Sequence, residues 1–357
     1  MKNSFVGYTP CAMSNFKNGD ETGPIHVLSV RALSSEQVER LHAVSPRIRV
    51  EQRVCENGEQ IAAALEPHFE VLYSARGDFQ LTNAGSLRWL QTESAGVDHL
   101  HGTDIWKSGI AVTSANGAHP QVAEYAIAGL LACAHRFPAT FDLQRAGVWS
   151  DSDRRRMMPM VLRGRTIGIV GYGAIGRETA RLASAVGMRV CVAVRDVTRR
   201  RFDGWQLSGT GDADGVLPEM WLPITQLDEL LVTSDVVVLA VPLASGTRRL
   251  LDAERITRMR PGAVLVNIGR GALVDQDAMI AALESGALGG AVLDVTDPEP
   301  LPAGHALWRA PNLILTPHIS GMSPNMLDNV MSIFAENLRR YAAGEALLNV
   351  VQRELGY

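Results

Sequence analysis

One stretch near the middle of the chain constrains the fold more than any other. Residues 166–170, Thr-Ile-Gly-Ile-Val, form a short apolar, β-branched run that reads as a buried strand. The next six residues, Gly171, Tyr172, Gly173, Ala174, Ile175 and Gly176, spell G-x-G-x-x-G. Residues 177–186 are helix formers and end at Gly187, a natural helix stop, and 190–194 is a second apolar run. Strand, glycine turn, helix and strand make one βαβ unit. In such a unit the glycines serve a tight turn, close backbone approach to a diphosphate, and close helix–strand packing. The helix N-terminus offers free N–H groups and a partial positive charge to the phosphates. The stretch therefore points to dinucleotide binding.

At 357 residues, with 46% hydrophobic and 20% charged residues, the chain fits a globular protein of two domains, each with its own core. A formal net charge of −4 gives no footprint for nucleic acid or an anionic membrane surface. The basic runs at 154–156 and 199–201 have no interleaved aromatics and read as solvated loops. Cys11, Cys55, Cys133 and Cys191 are widely spaced without a C-x-x-C pair, so neither a zinc site nor a redox motif is indicated. Cys133 and Cys191 sit in apolar runs and read as buried reduced thiols, which favours a cytoplasmic protein. Residues 1–23 lack the apolar core of a secretory signal and read as a loose tail, and no window reaches membrane-spanning length.

Taken in order, strands are expected at 25–30, 48–54, 69–74, 87–92 and 110–113. Helices are expected after the Ser34/Gln37 capping box and over 58–68. A long apolar helix over 121–134 leaves the first domain, and 137–161 reads as irregular, with the character of an inter-subunit arm. Beyond the glycine turn, 198–222 is rich in Gly, Asp and Pro and reads as a surface loop. Strands follow at 236–241, 263–268, 290–295 and 313–315, separated by helices at 227–231, 252–259 and 276–285, with a closing helix over 325–343. This alternation means an α/β fold with mostly parallel sheets, whose ligands bind beyond the carboxyl ends of the strands.

Three polar residues stand just after three successive strands of the second half: Arg270, Glu299 and His318. An arginine can fork onto a substrate carboxylate and polarise a keto oxygen. An imidazole can give a proton to a developing alkoxide or take it back. A carboxylate on the other ring nitrogen fixes the tautomer. Together they suit hydride transfer between a dinucleotide and a 2-oxo acid.

From about residue 25 to 351 the sequence resembles the D-isomer-specific 2-hydroxyacid dehydrogenase family. The resemblance rests on residues 93–98 (Glu-Ser-Ala-Gly-Val-Asp), the glycine turn, Val241-Pro242-Leu243 with Thr247, and 266–271 (Val-Asn-Ile-Gly-Arg-Gly). It extends through Leu293-Asp294-Val295 with Glu299-Pro300 to 316–320 (Thr-Pro-His-Ile-Ser). It implies two Rossmann-like domains, the cofactor domain inserted into a flavodoxin-like substrate domain: 1–118 with 321–357 for substrate, 119–320 for the dinucleotide. It implies Arg270 as the catalytic arginine, His318 as the acid/base and Glu299 as the acid supporting it. Ala95 and Gly96 would hold the substrate carboxylate alongside Arg270, with Arg76 near the substrate side chain. Asp294 would face the nicotinamide carboxamide. Val241, Pro242 and Thr247 would line the cofactor, with Ile268, Gly269 and Ser320 near its nicotinamide ring. The expected protein is a homodimeric, cytoplasmic oxidoreductase for a small 2-oxo acid (glyoxylate- or hydroxypyruvate-like) and its D-2-hydroxy acid. Alternatives within the resemblance are a phosphite-oxidising relative and a dinucleotide-sensing corepressor. Formate dehydrogenases of the family carry glutamine at the acid position, so Glu299 speaks against formate.

One position departs from the NAD pattern. An acid should end the second strand about 20 residues past the glycines. Val194 and Arg195 stand there, with Asp196 next. Arg195 can face a 2′-phosphate, which favours NADP over NAD, whereas Asp196 reaches a ribose only if the turn is one residue longer.

Overall fold

The structure, a computed structural model, describes residues 23–149, 152, 154, 157–244 and 246–357. The expected N-terminal tail with Cys11, and most of the basic run at 154–156, lie outside the described residues. The chain divides into two compact units: 23–93 with 102–114 and 331–350, and 94–101 with 115–330 and 351–357.

The first unit is built on a five-stranded parallel sheet of order β2-β1-β3-β4-β5. Its strands are β1 Ile25–Ser29, β2 Ile48–Gln52, β3 Val71–Tyr73, β4 Trp89–Gln91 and β5 Ala111–Thr113. Helix α1, Ser35–His42, starts on the expected capping box, in which the Ser34 hydroxyl accepts from the Gln37 N–H and the Gln37 side chain from the Ser34 N–H. Helices α2, Gly58–Ala64, and α3, Asp104–Lys107, are short. The core is aromatic: Tyr73 stacks on Phe334 with centroids 5.0 Å apart, and Trp89 meets the same ring at 5.6 Å. A buried polar chain crosses this core. The Trp89 indole donates to Thr113 Oγ1 (2.7 Å), and that hydroxyl donates to Gln91 Oε1 (2.8 Å). The Asn337 amide donates to the same Gln91 oxygen, so buried polar atoms that would cost several kcal/mol unpaired are satisfied.

The second unit carries a seven-stranded parallel sheet of order β12-β11-β10-β9-β6-β7-β8. The strands are β6 Thr166–Val170, β7 Arg189–Val194, β8 Pro218–Pro223, β9 Val236–Leu239, β10 Ala263–Asn267, β11 Leu288–Leu293 and β12 Leu313–Leu315. The helices are α4 His119–Ala134, α5 Phe137–Ala146, α6 Ala174–Ala185, α7 Leu227–Thr233, α8 Ala253–Arg258 and α9 Gln276–Glu284. Helix α10, Met326–Ala343, begins in this unit and ends in the other. Every residue of β6, β9 and β10 is buried, because separate apolar clusters cover the two faces of the sheet. Strand order reverses between β6 and β9, the position at which ligands bind in such sheets.

Two sequence expectations fail. The irregular stretch at 137–161 contains helix α5, and Pro138 is tolerated because it sits in the first turn, where its missing N–H has no intrahelical partner to lose. The surface loop expected at 198–222 ends in strand β8, whose Pro218 and Pro223 fit because β8 is an edge strand. The remainder of that loop is pinned. The buried Arg177 guanidinium donates to the Asp212 carbonyl (2.5 Å) and the Arg200 carbonyl (2.6 Å), beneath the rings of Tyr172 and Phe202. Asp212 in turn accepts from the Tyr172 hydroxyl and from the N–H groups of Val216 and Leu217. At the start of α4, His119 Nδ1 donates to the Asn116 carbonyl, which leaves Nε2 of the neutral ring facing Thr210 Oγ1 at 2.8 Å. Burial, against the opposing pull of the Asn116 carbonyl, holds the His119 imidazole below its ordinary pKa and keeps it neutral. Cys133 and Cys191 are buried free thiols, and burial raises the former to about 11. No helix among the described residues is long and apolar enough to cross a membrane.

Candidate active site

The glycine turn follows β6 as the sequence requires. Gly171 has φ +94°, and a Cβ there would fall 2.6 Å from the Ala240 carbonyl oxygen; a Cβ on Gly176 would fall 2.2 Å from the Gly171 carbonyl oxygen. By contrast, a Cβ on Gly173 would meet nothing within 4 Å. That open face lies at the N-terminus of α6, which has no side-chain cap, so its first N–H groups remain available to an anion. The Tyr172 ring is buried on Trp221 and its hydroxyl is spent on Asp212, so its side chain supports the turn from behind.

Beyond β9, the Thr247 hydroxyl donates to the Pro242 carbonyl and accepts from the Ala244 N–H, both at 2.8 Å, which fixes the loop that begins with Val241. Beyond β10, Asn267 plays the same part. Its amide donates to the Arg270 carbonyl (2.8 Å) and its oxygen accepts from the Gly269 N–H (3.1 Å). Ile268 is buried and Gly269 closes against the Val241 carbonyl. Arg270 is then aimed by two acceptors. Its Nε and Nη2 donate to Asp98 Oδ1 at 3.1 and 2.7 Å, and its Nη1 to the Gly269 carbonyl at 2.8 Å. A guanidinium has five N–H groups, so one on each terminal nitrogen is left for a ligand. Gly96 is pressed against this group, and a Cβ there would stand 1.9 Å from Nη2; Ala95 beside it is exposed. Burial raises the Asp98 carboxyl, but the Arg270 hydrogen bond and charge outweigh it and hold Asp98 below the usual carboxylate range.

Past β12, His318 has φ +54°, a left-handed backbone uncommon outside glycine. Asp294, at the end of β11, enforces it. Its carbonyl accepts from the His318 N–H (2.8 Å). Its carboxylate accepts from the Ile319 N–H (2.8 Å), the Ser320 N–H (3.0 Å) and the Thr316 hydroxyl (2.7 Å). One lone-pair position on Asp294 Oδ2 is left after these bonds. The imidazole Nδ1 of His318 lies 2.5 Å from Glu299 Oε1, so Nδ1–H donates to the carboxylate and Nε2 is free. Arg270, Glu299 and His318 thus follow β10, β11 and β12, three neighbouring strands of one parallel sheet.

The family model for the NAD-binding domain of the D-isomer specific 2-hydroxyacid dehydrogenases matches residues 127–320. The chain is 34% identical over 274 residues to a glyoxylate reductase of Thermofilum pendens, covering 76% of this chain and 77% of that one. It is 34% identical over 255 residues to an (S)-sulfolactate dehydrogenase of Chromohalobacter salexigens, covering 71% and 77%. Among solved structures it resembles a D-isomer specific 2-hydroxyacid dehydrogenase of Xanthobacter autotrophicus Py2 in complex with NADPH and MES. That match has TM-score 0.74 and 26% identity, and covers 94% of this chain and all of that one. The chain is a D-isomer specific 2-hydroxyacid dehydrogenase family member. As such it is a nicotinamide-dinucleotide-dependent oxidoreductase acting on CH–OH groups.

In this dehydrogenase Arg76 belongs to the first unit, where its guanidinium forks onto Asp78 at 2.9 and 2.5 Å. Arg195 is exposed at the end of β7 and donates from Nη1 to the Tyr357 hydroxyl at 2.6 Å. Asp196 turns away into its own turn, where the Thr198 hydroxyl and N–H bind it at 2.6 and 2.9 Å and hold its carboxyl below the usual range. In the sequence, Asp98 and Asn267 were visible only as members of the strings 93–98 and 266–271. The signal for Asp98 was an unpaired acid in the Ala95-Gly96 turn; for Asn267 it was an amide ending an otherwise apolar strand.

Proposed function

We propose that the protein interconverts a small 2-oxo acid of the glyoxylate or hydroxypyruvate type and its D-2-hydroxy acid, with NADP preferred to NAD. The observation that carries the reading is the aimed pair of side chains: an arginine with two N–H groups left over, and a histidine whose Nδ1 is fixed by Glu299. The open face of Gly173 and the uncapped start of α6 fit a dinucleotide diphosphate. When bound, the nicotinamide supplies or accepts the hydride. Arg270 binds the substrate carboxylate and keto oxygen, with the Ala95-Gly96 backbone beside it. His318 delivers a proton from Nε2 to the substrate oxygen in reduction and removes it in oxidation, while Glu299 stabilises the charged ring. Val241, Pro242, Thr247, Ile268, Gly269 and Ser320 line the cofactor, and the remaining lone pair of Asp294 accepts from the carboxamide. The names of the similar glyoxylate reductases support the substrate class, and the NADPH-bound relative supports the cofactor preference. Arg195 in place of an acid, with Asp196 occupied by Thr198, points the same way.

Residues 119–320 act as the dinucleotide domain, inserted into a substrate domain of 1–118 and 321–357. The buried free thiols favour the cytoplasm. The test is oxidation of NADPH and NADH, followed by absorbance, with a panel of 2-oxo acids. Turnover of glyoxylate or hydroxypyruvate, faster with NADPH, is expected. Tight NADPH binding without turnover of any acid would return the dinucleotide-sensing reading.

A homodimer is the third part of the proposal. Helix α5 and the residues after it expose Phe137, Phe141, Val148 and Trp149, the last 91% exposed, around an apolar depression of about 630 Å³. A second copy would cover this surface, since a patch of that kind in water favours association. Phe141→Asp is expected to convert a dimer to a monomer in light scattering coupled to gel filtration. An unchanged mass would place the subunit contact elsewhere.

A further inference from the structure

The segment Val351–Tyr357 belongs to the second unit although the residues before it belong to the first. A 3-10 turn at Arg353–Leu355 is followed by Gly356 at φ +81°, a left-handed conformation that lets the backbone double back. A main-chain oxygen of Tyr357 then accepts from the Gln352 N–H at 2.8 Å. His101 Nε2 donates to the Gly356 carbonyl (3.1 Å), and a Cβ on Gly356 would stand 3.5 Å from that of Ala244. Ala244 lies in the loop after β9, and Arg195 follows β7. Strands β9 and β7 flank β6, whose loop is the glycine turn. The segment therefore spans the carboxyl edge of the sheet across the half that would hold the adenosine.

We propose that Tyr357 is a positioning residue that selects for a 2′-phosphorylated dinucleotide by holding Arg195 at the ribose end of the cofactor cleft. The inference rests on the NADP reading of Arg195 given above. Arg195 is exposed on a flexible stem, and a free guanidinium of that kind loses rotamer entropy on binding an anion. The hydrogen bond from Nη1 to the phenol fixes it beforehand, with the guanidinium carbon 5.3 Å from the ring centroid. The phenol oxygen accepts from Nη1, and the guanidinium keeps its other N–H groups for a phosphate. A ribose 2′-hydroxyl gains far less from the guanidinium than a phosphate dianion does.

The experiment is fluorescence titration of the full chain with NADPH and with NADH. Tyr357→Phe keeps the ring and removes only the hydroxyl. It is expected to weaken NADPH about fivefold, the loss of one hydrogen bond, and NADH less than about twofold. Arg195→Ala should weaken NADPH more strongly, and adding Tyr357→Phe to it should cost nothing further, because the two residues act as one unit. Melting curves of each variant check that the fold is retained. If Arg195→Ala removes the preference for NADPH but Tyr357→Phe leaves it intact, the role of Tyr357 is wrong and the NADP reading stands. An unchanged preference in Arg195→Ala overturns both.

Discussion

His318→Ala is expected to lower kcat by about three orders of magnitude while the affinity for NADPH stays within about threefold of the parent. The reason is local. In the proposed reaction the free Nε2, at the carboxyl ends of β10 to β12, is the proton donor, and Nδ1 is already committed to Glu299. Because His318 sits at φ +54°, asparagine, which tolerates that backbone, is the better control for a folding effect. Alanine and asparagine should be equally inactive, with asparagine the better folded of the two. Glu299→Gln keeps the hydrogen bond but removes the charge, so a smaller loss, about 10- to 100-fold, is expected there. Single-turnover kinetics combined with nucleotide titration separates the cases. A parallel loss of cofactor affinity in His318→Asn would show a structural histidine instead of an acid/base.

Arg270→Lys is expected to reduce kcat/KM by about 100-fold or more, although the charge is conserved. Lysine offers a single nitrogen where the guanidinium uses Nε and Nη2 on Asp98, Nη1 on the Gly269 carbonyl, and still keeps two N–H groups for substrate. The effect should appear mainly in KM for the 2-oxo acid and much less in the affinity for nucleotide; a lysine variant with parental KM would remove Arg270 from substrate binding. The pH behaviour of the pair has a definite sign. Asp98 has a folded pKa below its unfolded value, so its contribution to stability is complete above the ordinary carboxylate pKa of about 3.9 and fades as pH falls through the lower folded value. At neutral pH the Asp98 carboxylate is charged. Acid inactivation near pH 5 or 6 would therefore have to come from another group.

Much of this was legible in the chain because it depends on local pattern. Gly171 makes the tight turn and Gly176 the close packing that their spacing implied, since a βαβ unit with that spacing leaves few backbone paths. The apolar runs at 236–239 and 263–267 announced buried strands because only a sheet covered on both faces accommodates them. The order of strands and polar residues placed Arg270, Glu299 and His318 at one edge of the sheet, because parallel strands point their carboxyl ends the same way. Helix α5 and strand β8 were missed because each carries proline, which breaks elements in their interior but is tolerated in the first turn of α5 and on the edge strand β8.

What the sequence determined by itself is therefore the class of fold, the glycine turn, and the arginine, carboxylate and histidine that follow three neighbouring strands. Only the tertiary structure decided how those groups are aimed: Asp98 and the Gly269 carbonyl on Arg270, Asp294 beneath the left-handed backbone of His318, Tyr357 on Arg195. Asp98 is 172 residues from Arg270 and Tyr357 is 162 from Arg195. Hydrogen bonds act over about 3 Å, and nothing in residue order encodes which distant loops will close to that distance.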